Sequence, residues 1–151
     1  MPPVSAYRLP DTCIPTRYRL LLAPDLAGGR FEGEEAVDLL VRRPTDEIVL
    51  NAADLVIREA AAQRGDAPPL SARIALDEAL ERAVLRFPAA LTPGDWRLRL
   101  HFAGTLNDKL RGFYRSRIGT PAAGPPAAGD LLAVTQFEAT EARRAFPCWD
   151  E

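Results

Sequence analysis

Trp96-Arg-Leu-Arg-Leu-His-Phe102 alternates without a break between apolar and basic side chains. Side chains on a strand point to opposite faces at successive positions, so this stretch buries Trp96, Leu98, Leu100 and Phe102 and leaves Arg97, Arg99 and His101 in water. A helix would scatter the same residues around its whole circumference. The stretch is therefore a half-buried strand, and the fold it belongs to needs a sheet with one wet face.

The flanking sequence repeats the pattern. A compact apolar run at 18–22 is followed by a longer one at 31–41, in which Glu35, Val37, Leu39 and Val41 share a face. Gly33, near its start, is expected to mark a bulge. Shorter strands are expected at 48–50, 55–57, 73–76 and 83–87. Between them stand turn formers: Pro24-Asp25 with Gly28-Gly29, Arg43-Pro44, Pro68-Pro69 and Thr92-Pro93-Gly94. Residues 78–86 are rich in good helix formers, but the run is short and weakly periodic. A hairpin fits better, with one strand ending near Asp77 and the next running through Phe87. The stretches 61–71 and 119–130 are rich in Ala, Pro and Gly and read as loops. Many short strands with Gly/Pro turns predict a mostly β chain, an antiparallel sandwich or bent sheet.

The chain has 151 residues, enough for one domain with a real core. Its 47% hydrophobic and 26% charged content is that of a soluble globular protein. A formal net charge of −2 leaves no basic footprint for nucleic acid. The first ten residues lack a signal-peptide pattern, and no run approaches the ~18 apolar residues of a membrane span. Those features point to a cytoplasmic protein without a membrane partner. Cys13 and Cys148 are the only cysteines. Free, buried thiols are the preferred reading, with a disulfide between them left open.

Catalytic motifs are missing. The sequence has no His-Glu-x-x-His, no Cys-x-x-Cys, no Gly-x-Ser-x-Gly and no phosphate-binding glycine loop. With His101 as its single histidine, on a wet strand face, the chain shows no metal-ligand spacing. The chain alone is expected to be catalytically inactive.

The last stretch carries the candidate chemistry. If 131–138 is a strand, Leu132, Val134, Gln136 and Glu138 share one face, with Ala133, Thr135 and Phe137 on the other. Such a strand leaves a core and presents an amide and a carboxylate at its exposed end. Together these can receive a primary ammonium, a group with three donors. Composition alone favours the plainer alternative, in which Gln136 and Glu138 are solvated polar residues and Glu138 pairs with Arg143 or Arg144. Residues 140–145 read as one helical turn with Thr140 as a possible cap. Spacing does not decide between the two readings of Gln136 and Glu138.

The string Thr135-Gln-Phe-Glu-Ala-Thr-Glu-Ala-Arg-Arg-Ala-Phe-Pro-Cys-Trp-Asp-Glu151 is very similar to the signature of the aminopeptidase N family of zinc metallo-aminopeptidases, above all its puromycin-sensitive branch. Leu9-Pro10, Pro15-Thr-Arg-Tyr18, Phe31-Glu-Gly33 and Leu106-Asn-Asp-Lys-Leu-Arg-Gly-Phe-Tyr-Arg-Ser116 agree in order and spacing, so the resemblance spans the chain. Glu141, where relatives usually show aspartate, and the loop 119–130 depart from it. The resemblance implies a saddle-shaped antiparallel β domain over 1–151, sandwich-like, lacking its last strands and therefore of marginal stability alone. It implies that Gln136 and Glu138 grip the α-amine of a peptide N-terminus. It places the zinc, its ligands and the general base in a separate catalytic domain, this chain's other partner, and gives the chain itself no cofactor. The alternative it leaves open is a non-enzymatic scaffold or binding module that keeps this β fold.

Overall fold

A computed structural model describes residues 8–118 and 128–150. Among the described residues ten strands run β1 (Cys13–Asp25), β2 (Arg30–Val41), β3 (Thr45–Asn51), β4 (Leu55–Gln63), β5 (Leu70–Ser71), β6 (Arg73–Asp77), β7 (Arg82–Leu91), β8 (Gly94–Thr105), β9 (Gly112–Arg117) and β10 (Leu131–Gln136). They form a five-stranded sheet in the order β1-β2-β8-β4-β5, a three-stranded sheet β3-β7-β6 and a two-stranded ribbon β10-β9. Every strand pairing within these sheets is antiparallel. The chain is mostly β and sandwich-like, as the alternation predicts.

The core lies between the inner face of the large sheet and the β3-β7-β6 sheet. Leu98, Leu100 and Phe102 of β8 are fully buried there, with Val37, Leu39 and Val41 of β2, Ile48 and Leu50 of β3, and Leu85 and Leu91 of β7. Trp96 packs at the margin of the same cluster, while Arg99 and His101 stay exposed. β6 and β7 form the expected hairpin, its turn tied by the Leu80 amide donating to Asp77 Oδ1 at 3.0 Å.

Two local expectations are corrected. Gly33 marks no bulge: the pairing of β2 with β8 is continuous, and the irregularity in β1 falls between Pro15 and Arg17. Gly33 lies opposite Phe102, and a Cβ there would sit 2.3 Å from the ring. Two residues on, Phe31 lies opposite Gly104, where a Cβ would sit 2.4 Å from its ring. Each glycine is the floor for the aromatic of its neighbour strand. The stretch 61–71 is also not all loop, since β4 runs to Gln63 and β5 opens at Leu70. Ala60 and Ala62 are buried at alternate positions of β4, small side chains that let it lie close on the core. Of the second expected loop, residues 119–127 lie outside the described residues, and Ala128–Asp130 form a 3₁₀ turn leading into β10.

Candidate functional site

β10 ends at Gln136, paired in register with Gly112 of β9. Glu138 therefore lies beyond the strand, in a turn at 138–140, and its peptide bond to Ala139 is cis. The expected strand over 131–138 is two residues shorter, so pleating orders Gln136 but not Glu138. The expected alternation holds along β10, but the expectation that the Leu132 face starts in a core is corrected. Ala133 and Phe137 pack against the core and Leu131 is buried, whereas Leu132 is about half exposed at 47%. On the face of Leu132, Val134 and Gln136, the first and last are exposed and Val134 is half-buried, because β10 closes the ribbon with β9 rather than entering the sandwich.

Gln136 and Glu138 are both exposed at that strand end. Among the described residues neither side chain has a hydrogen-bond or ion-pair partner. In particular Glu138 does not pair with Arg143 or Arg144.

Those arginines instead fasten the following segment, 139–150, to the sandwich. The segment contains a single 3₁₀ turn, Glu141–Arg144, with Thr140 at the cap position but making no side-chain cap bond. Arg144 donates from Nε to Glu141 Oε2 at 2.6 Å and from Nη2 to Glu81 Oε1 at 2.6 Å, and from Nη1 to Asp54. Arg143 donates to Asp150 Oδ2 from Nε at 3.0 Å and Nη2 at 2.6 Å, and to Glu81 Oε2 at 3.2 Å. Burial opposes the charge on Arg144, but the hydrogen bond to Glu141 and the attraction of Asp54 and Glu81 outweigh it and raise its pKa. Asp54 and Glu81 both sit at positive φ, 55° and 52°, a region rarely used by residues other than glycine. Both tight turns thus present a carboxylate to the same guanidinium.

The segment is closed further along by Cys148, which exchanges backbone hydrogen bonds of 2.8 and 2.9 Å with Asn51 at the end of β3. The Trp149 amide donates to the Tyr18 hydroxyl at 3.0 Å. Phe146 meets Tyr18 and Phe137 edge-on, with ring centroids 6.0 and 5.9 Å apart. Gly112 completes the seat: at φ +67°, its place for a Cβ lies 2.8 Å from Arg144 Cβ. The result is an ion-paired rim from which an amide and a carboxylate, unpartnered among the described residues, project.

Cys13 and Cys148 are free and buried, and burial pushes their thiols up to about 11 and about 12. Among the described residues no three His, Cys, Asp or Glu side chains gather to hold a metal, and no helix is long and apolar enough to cross a membrane.

The arginine network escaped sequence reasoning. Arg143-Arg144 stood in plain view, but their acids at positions 54 and 81 come from turns far away in the chain. Glu35 carried a readable signal, a carboxylate at an inward position of an apolar strand.

Comparison with known proteins is consistent with this architecture. A family model described as the Peptidase M1 N-terminal domain matches residues 14–151. Aminopeptidase M1-D of Oryza sativa subsp. japonica is 46% identical over 147 residues, covering 95% of this chain but 16% of that protein. Aminopeptidase M1 of Arabidopsis thaliana is 43% identical over 150 residues, again 95% of this chain and 16% of the relative. The puromycin-sensitive aminopeptidase of Caenorhabditis elegans is 37% identical over 150 residues, 95% of this chain and 15% of the relative. The chain thus spans about a sixth of the length of these relatives.

Proposed function

The chain belongs to the family of peptidase M1 N-terminal domains, and from that premise we propose that it anchors substrate for an aminopeptidase, Glu138 and Gln136 taking the free α-amine of a peptide. The observation that carries this is the pair of exposed acceptors at the end of β10, unpartnered among the described residues although arginines stand a few positions away. A carboxylate left without a partner beside a rim stitched together by ion pairs is available to an external cation.

The chemistry suits an ammonium. An α-amino group has a pKa near 8 and is mostly cationic at neutral pH. At about 4 Å and an effective dielectric near 20, its attraction to a carboxylate is roughly 4 kcal/mol before desolvation. A third of that surviving desolvation gives about tenfold selectivity for a free amino terminus. The Gln136 carbonyl offers a second acceptor, and its NH₂ group can hold the glutamate in place. Fixing the ammonium fixes the first peptide carbonyl one residue away, which converts a loose encounter into a positioned one.

Hydrolysis would be the work of a separate catalytic domain. A zinc ion held there would polarise that carbonyl and lower the pKa of its attacking water. The residues of this chain bind and orient.

The test is Glu138→Ala in a protein that joins this domain to an M1 catalytic domain. kcat/KM should fall at least tenfold on peptides with a free amino terminus and stay unchanged on N-acetylated ones. Equal losses on both would remove the anchoring role.

A further inference from the structure

Glu35 sits on the inner face of β2 between Gly33 and Val37, opposite Leu20 of β1 and Leu100 of β8. Its residue surface is 3% exposed, and neither carboxyl oxygen has a hydrogen-bond partner among the described residues. Tyr18, opposite Val37 and one pleat along β1 from Leu20, lies on the same face of the β1-β2 pair as Glu35. Tyr18 and Cys148 fasten the terminal segment, the first through the Trp149 amide and the second through Asn51. A buried carboxylate without a donor is far costlier than a buried carboxylic acid.

We propose that Glu35 is a proton-operated latch: as a neutral acid it lets β2 close beneath the terminal segment, and losing its proton loosens residues 146–150. The latch operates whatever Gln136 and Glu138 bind.

The groups facing Glu35 leave it no alternative. From β1 comes Tyr18, whose hydroxyl holds the Trp149 amide of the terminal segment next to Cys148, and in that segment Asp150 is already paired to Arg143. β8 contributes Leu100, while its Arg99 and His101 lie on the opposite, exposed face. Burial raises Tyr18 strongly and carries Cys148 to about 12, so both stay neutral while Glu35 ionises. Burial lifts Glu35 itself from 4.5 to about 9.

The sign follows from linkage. Between about 4.5 and about 9 the folded chain holds a proton that the unfolded chain has lost. The stabilisation is complete below the lower value, shrinks as pH rises and is gone above the upper one. For one proton, the unfolding constant rises about tenfold per pH unit across that window.

Two measurements on the full chain test this. The ¹³C shift of the Glu35 carboxyl, followed by NMR against pH in the unaltered protein, should titrate near 9. Denaturant unfolding of the unaltered chain and of Glu35→Leu, between pH 6 and pH 8, should diverge by about tenfold per pH unit in unfolding constant. Amide exchange at Asn51, Cys148 and Trp149, taken relative to Glu35→Leu at each pH, should quicken over the same range. A carboxyl titrating near 4.5, or parallel pH profiles in the two proteins, would overturn the latch. If Glu35→Leu does not fold, the carboxyl titration decides by itself.

Discussion

Removing the Arg144 guanidinium tests whether the rim is held by charge. Its side chain is 13% exposed and pairs with Glu141 at 21%, Glu81 at 34% and Asp54 at 73% exposure. Deleting one partner of a fully buried pair costs about 3–5 kcal/mol, because the other charge is stranded. Here Asp54 returns to water at no cost, and Glu81 keeps Arg143, so only Glu141 is stranded. The discounted cost of Arg144→Met, which keeps the aliphatic cover over Gly112, is about 2 kcal/mol. Asp54→Ala, removing the exposed end of the same network, should cost under about 0.5 kcal/mol. For a chain of this size 2 kcal/mol corresponds to a Tm loss of about 8 °C. Thermal unfolding followed by circular dichroism separates the cases. An Arg144→Met Tm within about 2 °C of the parent, or an equal loss in Asp54→Ala, would refute charge as the fastening.

Other expectations follow from packing and burial. Gly33→Ala and Gly104→Ala each push a methyl into an aromatic ring, and each should cost about 1–3 kcal/mol by denaturant titration. Shortening the opposing ring, as in Gly33→Ala with Phe102→Leu, should recover part of that loss. Cys13 and Cys148 should resist a thiol reagent at pH 8 in the folded chain and react at once in denaturant, since burial holds their thiolates back. Rapid labelling of the native chain would show that the floor around Cys148 is open.

The alternation of Trp96 through Phe102 and of Val37 through Val41 made the large sheet legible, because burial follows the pleat directly there. The β6-β7 hairpin was legible for the same reason, despite helix-forming residues in its turn. What misled were small residues. Ala61 and Ala62 look like loop filler until β8 is placed beside them, and Gly33 looks like a bulge until Phe102 stands over it. Around the site, the exposure of Gln136 and Glu138 was legible in the terminal string. That Leu132 begins the face of Gln136 outside the core was not, because a two-stranded ribbon and a core strand carry the same apolar pattern. The carboxylates of Asp54 and Glu81 reach Arg144 only through left-handed turns, a tertiary fact that no local pattern encodes.

A binding cycle measures the anchoring most directly. In a protein that joins this domain to an M1 catalytic domain, Glu138→Ala is crossed with replacement of an inhibitory peptide's α-ammonium by hydrogen. Affinities of the four combinations give the coupling between that carboxylate and the amine. A tenfold or greater coupling, about 1.4 kcal/mol, is the predicted result. Losses that simply add would contradict it, and would leave the exposed end of β10 without a role in holding the peptide.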